Sequence, residues 1–294
     1  MRPLCIYHAH CADGAAAAWA VRRALGDEVE FLPMSYGDTP PDVTGRDVVM
    51  VDFSFKLPIL EIMAALSRSL LVLDHHQTAQ EELAGLETPR PWYDHLHEVP
   101  YSEFGYLAAI FDMDRSGAQI AWDYFHPGAP RPTIIDYIAD RDLWRFALPG
   151  SREINAAIAS YGIYIETIDG VSAVLEHEVG RNLVSSQGAA ILRTHDLNIG
   201  AVTDATMRMM TIGGTSVPVV NCPHFMASDA AGNLAEGNPF AAAYFDASDG
   251  SRRFSLRSRG PDGADVSEIA ARYGGGGHRH AAGFTAPAGW EGEE

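Results

Sequence analysis

The first 150 residues alternate short apolar runs with longer segments of helical spacing. Two segments, 15–25 and 58–66, have the pattern of helices, and Pro58 falls in a first turn, where proline is tolerated. Four apolar runs have the length and composition of strands: residues 4–9, 29–34, 47–53 and 69–73. Strands that alternate with helices of this length predict an α/β fold with a parallel sheet and helices on its faces.

The pattern changes twice farther along the chain. Helical spacing appears at 116–125 and 133–138 and continues from about 154 to 194, which predicts a helical connector. After about residue 200, strand-like runs separated by glycine-rich turns precede a helical pattern at 266–273. The chain is therefore predicted to have three parts: a parallel-sheet domain at 1–150, a helical connector at 151–200 and a smaller α+β domain at 201–294.

Polar clusters follow three of the predicted strands. His8 begins the first cluster, Asp52 lies at the end of the third strand, and an Asp-His-His run at 74–76 comes directly after the fourth. Ligands of open parallel sheets bind outside the carboxyl ends of the strands. Taken alone, Asp52 could cap a helix and His8 could be a hydrogen-bonded residue at a strand end. Together these residues favour a site for divalent metal ions, because carboxylate and imidazole groups are their usual ligands.

Two motifs about 200 residues apart resemble those of the DHH phosphoesterase superfamily. Asp74-His75-His76 at the end of an apolar strand is similar to the signature of that family. The run GGGHRHAAGF at 275–284 resembles the motif G-G-G-H-x-x-A-A-G-F of the DHH-associated domain. The resemblance covers nearly the whole chain. It implies a catalytic, metal-binding DHH domain followed by a substrate-binding DHH-associated domain.

The resemblance also implies ligands for two divalent cations, most simply Mn²⁺, with Mg²⁺ or Co²⁺ as alternatives. The fourth motif of the family is an aspartate with an aromatic residue four positions later. Both Asp142 and Asp140 satisfy it, and Asp142 is favoured because Leu143 and Trp144 follow it directly. Asp52 matches the carboxylate that bridges the two ions. The implied metal ligands are His8, Asp13, Asp52, His75 and Asp142.

Further roles follow from the same resemblance. His76 would lie near the substrate phosphate and donate a hydrogen bond or a proton, and Asp74 would orient the imidazoles. In the second domain Arg257 would bind a phosphate, which a guanidinium can contact with two hydrogen bonds. A flexible turn explains the glycines of the last motif but not the histidine that follows them. The implied substrate-binding residues are Arg257, Gly275, Gly276, Gly277 and His278.

One residue departs from the usual family pattern. Cys11 stands where most members have an aspartate, as in a branch with the pattern H-x-x-C-x-D-G that resembles oligoribonucleases of the nanoRNase type and small-nucleotide phosphodiesterases. A thiolate favours softer metals, so Cys11 is either a ligand or a small residue packed behind the loop. A second choice concerns residues 115–118. Arg115 or a nearby backbone N–H could contact phosphate, but a helix N-cap at Ser116 is favoured.

Charge limits the substrates that the chain can be expected to bind. Its 21 lysines and arginines against 39 aspartates and glutamates give a formal net charge of −18. Such a surface repels long polyanions, because tight duplex binding needs many cationic contacts to phosphates. We therefore expect a short single-stranded oligonucleotide or a dinucleotide as substrate, and no long duplex. A homodimer is compatible with the sequence.

The cellular setting is predicted from absent features. No apolar run approaches the roughly 18 residues that span a bilayer, and residues 1–8 lack a signal-peptide pattern. Three cysteines are too few for a disulfide framework, which favours a reducing environment. A cytoplasmic protein without a membrane partner is expected.

The function predicted from these features is that of a metal-dependent phosphodiesterase that cleaves short oligonucleotides or dinucleotides to mononucleotides. A cyclic-nucleotide phosphodiesterase would use the same metals. An inorganic pyrophosphatase shares the DHH core, but the glycine-rich motif argues against it. A degenerate family member would bind nucleotides without turnover, and Cys11 is the only residue that favours this alternative.

Overall fold

The computed structural model describes residues 2–89 and 106–293. The chain divides into two compact units, Met1–Leu192 and Arg193–Glu294, and the division falls within one long helix. The assignment of catalytic, connecting and substrate-binding roles to parts of the chain stays a prediction. No helix in the described ranges combines the length and the apolar character that crossing a membrane requires.

A five-stranded parallel sheet forms the centre of the first unit. Its strands are β1 Leu4–His8, β2 Glu30–Met34, β3 Asp47–Val51, β4 Ser69–Asp74 and β5 Tyr106–Phe111. Their spatial order is β2-β1-β3-β4-β5, and every neighbouring pair is parallel. The predicted parallel α/β sheet is confirmed. Because the order reverses between β1 and β3, the carboxyl ends of these two strands lie where such sheets bind ligands.

Helices accompany this sheet along the chain. They are α1 Ala12–Leu25, α2 Leu57–Leu66, α3 Gln77–Glu82, α4 Gly117–Phe125, α5 Thr133–Asp142, α6 Ser151–Ser160, α7 Ile165–Leu175 and α8 Glu178–Thr206. A short 3₁₀ turn, Gly26–Glu28, follows α1. The predicted helical segments at 116–125 and 133–138 and in the 154–194 region are confirmed as helical.

Apolar side chains fill both faces of the first sheet. In β1, Cys5 packs with the cluster on the α1 side, whereas Leu4 and Ile6 pack with the cluster on the α2 side. Burial on both faces explains why the strands read as continuous apolar runs rather than as alternating patterns. On the α1 side, the core also contains the stacked rings of Trp19 and Trp122.

The second unit contains a six-stranded mixed sheet. Its strands are β6 Arg208–Ile212, β7 Thr215–Asn221, β8 Ala241–Asp246, β9 Arg252–Arg257, β10 Gly276–His278 and β11 Ala281–Ala286. The order is β10-β11-β9-β8-β7-β6, with only β7 and β8 parallel among the described pairs. Two helices, α9 His224–Leu234 and α10 Val266–Ala271, accompany this sheet. The predicted α+β character is confirmed.

Three strands were not predicted from the sequence, namely β5, β10 and β11, and the last of these contains the end of the motif at 275–284. Strand β5 contains Ala108 and Ala109, and alanine is depleted in strands, so its pattern is weak. Strand β10 consists of two glycines and His278, a composition that favours a turn. Strand β5 pairs with β4, and β10 pairs with β11, so hydrogen bonding to a neighbouring strand accompanies the extended conformation of both.

Candidate metal centre

Strand β1 and helix α1 position the first two predicted ligands. His8 is the last residue of β1, and Asp13 lies in the first turn of α1. The Asp13 side chain is buried, and its Oδ1 accepts a hydrogen bond from the backbone N–H of Ala118 at 3.2 Å. The short loop between strand and helix therefore brings an imidazole and a carboxylate to the same edge of the sheet.

Asp52 lies directly after β3, the central strand. Its backbone is left-handed, with φ of +54°, a conformation in which aspartate and asparagine are enriched among non-glycine residues. Its Oδ1 is 3.1 Å from His75 Nε2, and its Oδ2 is 3.6 Å from His8 Nδ1. The two carboxylate oxygens thus face histidines that come from the two strands beside β3.

Helix α4 begins against Asp52. A Cβ atom on Gly117 would lie 2.5 Å from the Cβ of Asp52, so only glycine permits this approach. Ser116 caps the helix through a reciprocal capping box with Gln119, which confirms the predicted N-cap. The Arg115 side chain contacts two carboxylates of its own segment, those of Asp112 and Asp123, each at 2.7 Å.

The Asp-His-His run at the end of β4 forms its own hydrogen bonds. Asp74 is fully buried, and its Oδ1 accepts from the backbone N–H of His75 at 2.8 Å. The same oxygen lies 2.7 Å from Nδ1 of His76. This contact fixes the orientation of the His76 ring, because one ring nitrogen is held by the carboxylate.

The two aspartates that fit the fourth motif are separated by the structure. Asp142 is the last residue of α5, and its Oδ2 is 3.4 Å from His75 Nε2. The two oxygens of Asp140 instead accept backbone N–H groups of Ala147 and Leu148, at 2.9 and 3.1 Å. Asp142 therefore faces the site, whereas Asp140 holds the segment that follows α5.

In the first unit, these side chains form two adjacent three-residue clusters. Within each cluster the candidate ligand atoms lie within 4.8 Å of one another. The first cluster is His8, Asp52 and His76, and the second cluster is Asp13, His75 and Asp142. The hydrogen bond between Asp52 and His75 joins the two clusters.

The donor set fits divalent cations. Asp13 Oδ2 and Asp52 Oδ2 are buried, and no donor among the described residues hydrogen-bonds to either oxygen. A buried carboxylate oxygen without a donor is costly, and a hard cation is a suitable partner for it. Imidazole nitrogens beside these oxygens favour Mn²⁺ and later transition metals over Ca²⁺ or Mg²⁺.

Electrostatics indicate excess negative charge at this centre. Burial opposes a charged imidazole, yet the hydrogen bond to Asp52 and the charge of Asp142 raise the pKa of His75 to about 10. Burial and the charge of Asp52 raise the pKa of both Asp13 and Asp142. Burial also opposes the charged form of Asp52, but contacts with His75 and His8 hold its pKa well below the usual value. Cations would relieve the repulsion among the three carboxylates.

Cys11 lies beside the centre without joining either cluster. It is the residue before α1, and it is partly buried. Burial, followed by the charges of Asp52 and Asp142, raises the pKa of its thiol well above the usual value. Within the described part of the chain, the candidate ligand sets do not include its sulfur. Whether Cys11 binds a metal stays an open prediction.

The predicted substrate-binding residues lie on one edge of the second sheet. Arg257 of β9 pairs with Ala281 of β11, which in turn pairs with His278 of β10. Directly paired residues share a sheet face, so the small Ala281 separates the side chains of Arg257 and His278. The glycine run is closely packed, because a Cβ on Gly275 would lie 2.0 Å from the Gly283 carbonyl oxygen.

Two residues near the metal centre were missed by the sequence predictions. Gly117 allows α4 to reach Asp52, and Tyr36 places an aromatic ring beside His8 and His76. The sequence does contain a signal for a turn at Tyr36, because Ser-Tyr-Gly-Asp at 35–38 has the composition of a tight turn. No sequence signal distinguishes Gly117 from the other 27 glycines.

Comparison with known proteins finds one relative by sequence. No family model matches the chain. Uncharacterized protein R106 of Acanthamoeba polyphaga mimivirus is 28% identical over an alignment 307 positions long, and the alignment covers 95% of this chain. The chain spans 66% of the length of that relative.

Solved structures align with both units of the chain. The DHH domain of PF0399, described as a member of a family of ribosomal proteins, is 13% identical, with a TM-score of 0.50. That alignment covers 98% of this chain and 83% of the other. A pGpG-specific phosphodiesterase, PggH from Vibrio cholerae, is also 13% identical, with a TM-score of 0.48 and coverage of 97% and 93%. The chain has the fold of DHH-domain proteins, as the resemblance of its motifs implied.

Proposed function

We propose that the chain is a metal-dependent phosphodiesterase that hydrolyses short oligonucleotides or dinucleotides to mononucleotides. The observation that carries this proposal is the pair of adjacent clusters joined through Asp52 and His75. These residues would hold two divalent cations, most simply Mn²⁺, of the kind that stabilise the charge of a phosphoryl group during its transfer. When bound, these ions would activate water and neutralise charge on the phosphoryl oxygens.

The residues of the first unit have distinct roles in this proposal. His8 and Asp52 belong to the first cluster, and Asp13, His75 and Asp142 form the second. Asp52, with one oxygen toward each of two histidines, is suited to bridge the ions.

His76 would donate a proton or a hydrogen bond to a phosphate oxygen. Burial opposes its charged form, but the neighbouring Asp74 carboxylate raises the pKa of His76 above its usual value, which favours the proton-donating form. Asp74 would also keep the ring in one orientation, because its Oδ1 contacts Nδ1 of His76.

The second unit would contribute residues that contact the substrate. Arg257 donates hydrogen bonds to Ser228 Oγ at 2.6 Å and to the Leu256 carbonyl at 2.8 Å, which fix its guanidinium. His278 lies on the same sheet face, two strands away. We propose that these two side chains, with Gly275, Gly276 and Gly277, contact a phosphate or sugar of the substrate.

We also propose a cytoplasmic location, because all three cysteines carry free thiols.

The proposal is tested by product release from the full chain with Mn²⁺. Substrates run from dinucleotides to decanucleotides and include cyclic dinucleotides, cyclic mononucleotides and inorganic pyrophosphate. We expect mononucleotide release, fastest from the shortest oligonucleotides. Preference for cyclic mononucleotides or pyrophosphate, or binding without turnover, would contradict the proposal.

Asp52→Asn is the matched inactive control for this assay. Asparagine tolerates the left-handed backbone of this position, so the fold should survive while the bridging charge is lost. Circular dichroism checks the fold, and mononucleotide release should be abolished.

His76→Ala tests the role of the proton donor. This variant should bind as much Mn²⁺ as the wild-type chain and lose about two to four orders of magnitude in turnover, the usual contribution of a general acid. Loss of one metal equivalent would instead make His76 a ligand.

A further inference from the structure

An exposed aromatic ring stands beside the candidate metal centre. Tyr36 follows strand β2, and it is 56% exposed. Its ring centroid lies 5.5 Å from that of His8 and 5.9 Å from that of His76, both in edge-to-face geometry. Phe53, directly after Asp52, supports the ring from the core side at 5.0 Å. The ring therefore borders the first cluster and belongs to a residue of which more than half is exposed.

A hydrogen-bonded turn holds Tyr36 in this place. The Asp38 N–H donates to the Ser35 carbonyl at 3.1 Å, and the Ser35 N–H donates to Asp38 Oδ2 at 2.8 Å. Gly37 follows Tyr36 with φ of +98°, a conformation that a type II turn requires at its third residue. An aromatic ring that is already fixed loses little conformational entropy when a ligand packs on it.

The fold has no evident need for an aromatic residue at this position. More than half of Tyr36 is exposed, so its burial adds little to the core. In the part of the chain that the structure describes, no residue hydrogen-bonds to its hydroxyl. An exposed ring at the border of a polar centre suits a ligand that has both a charged group and an aromatic face. A nucleotide has both of these in one molecule.

We propose that Tyr36 is a substrate-contacting residue on which the nucleobase next to the scissile phosphate stacks. The inference rests on the proposed function, since it assumes that a phosphate occupies the metal centre. Stacking on an aromatic ring tolerates every base, because each base has a π-face. The site should therefore accept all four bases, with a preference for the larger purines.

The test compares Tyr36→Leu and Tyr36→Phe with the wild-type chain on two matched substrates. One is a dinucleotide, and the other is the same dinucleotide with the base beside the scissile phosphate removed. Tyr36→Leu should raise KM for the intact dinucleotide about tenfold, within the range expected for loss of one base–aromatic stack. It should change KM for the abasic substrate little, and Tyr36→Phe should behave as wild type on both. Tyr164→Leu, at a 64% exposed tyrosine of the same unit, is the matched control.

Three results of the kinetic comparison would overturn the inference. Tyr36→Leu could leave KM unchanged on both substrates, or it could lower kcat equally on both, which would make the ring a positioning residue for His8 and His76. Tyr36→Phe could also show the same rise in KM as Tyr36→Leu, which would assign the effect to the hydroxyl.

A binding experiment tests the stack without turnover. Calorimetry with Mn²⁺ compares the affinity of the wild-type chain and of Tyr36→Leu for a mononucleotide and for ribose 5-phosphate. If Tyr36→Leu loses the same affinity for both ligands, the inference is also contradicted. If the wild-type chain releases no mononucleotide, the proposed function fails, whereas the calorimetric comparison still decides the role of Tyr36.

Discussion

At the scale of single residues, the two aspartates at the end of α5 differ in what their carboxylates contact. Asp142 lies 3.4 Å from His75 Nε2, and Asp140 accepts two backbone N–H groups of the following segment. Both satisfied the same sequence pattern, because each has an aromatic residue four positions later. The direction in which α5 ends determines which of the two carboxylates approaches His75, and that direction depends on packing rather than on local sequence.

Substitution of these two aspartates should therefore separate metal binding from stability. Asp142→Asn should weaken binding of one Mn²⁺ by more than about tenfold, since even residues behind the ligands contribute that much, and it should leave Tm nearly unchanged. Asp140→Asn places an amide NH₂ against a backbone N–H and should cost about 1–2 kcal/mol of unfolding free energy with normal metal affinity. Calorimetric Mn²⁺ titration and thermal unfolding measure the two effects. The reverse assignment is correct if Asp140→Asn is the variant that loses metal.

At the scale of elements, the site depends on how closely α4 approaches the loop after β3. Gly117→Ala should move this helix, because its Cβ would meet the Cβ of Asp52 at 2.5 Å. We expect a loss of about 1–3 kcal/mol in unfolding free energy, as for other overpacked sites, together with weaker metal binding. Gly170→Ala on α7 is the matched control, since nothing lies within 4 Å of its added Cβ. Equal effects of the two substitutions on metal affinity would show that α4 does not position Asp52.

The elements also show how far the sequence predicts this molecule. The strands that end at His8 and Asp74, and the one that Asp52 follows, were predicted, because buried parallel strands are continuous apolar runs and their carboxyl ends share one edge. Strand β5 was missed because its alanines have low strand propensity. Tyr36 was missed for another reason. Its position depends on the pairing of β1 with β2, which brings a turn from one strand beside a histidine from the other.

At the scale of the whole molecule, the formal net charge is −18, because 39 aspartates and glutamates outnumber 21 lysines and arginines. Several arginines of the second unit are already engaged with carboxylates, namely Arg208, Arg252, Arg253 and Arg279. Their contacts with aspartates and glutamates reduce the net positive field available to a polyanion. With the proposed function, a chain of this kind would gain affinity for substrate from a few placed groups and from metal ions, and for this reason we expect a preference for short substrates.

Metal binding and pH should act together on stability, because protons and cations compete for the same centre. In the metal-free chain the pKa of His75 is raised to about 10 from an ordinary value of 6.5, and the pKa values of Asp13 and Asp142 are also raised. A raised pKa in the folded state gives stability that is complete below the unfolded value and is lost as pH rises through the folded value. The Tm in EDTA should therefore decrease as the pH is raised from about 6.5 to about 10, the interval set by His75.

Added Mn²⁺ should change this trend. Divalent cations replace the bound protons, so the rise in Tm on adding Mn²⁺ should grow over the same interval. Thermal unfolding with EDTA and with Mn²⁺ across this range measures both trends, and His75→Gln should flatten them. Parallel curves for the two conditions would show that the centre does not bind the ion through these groups.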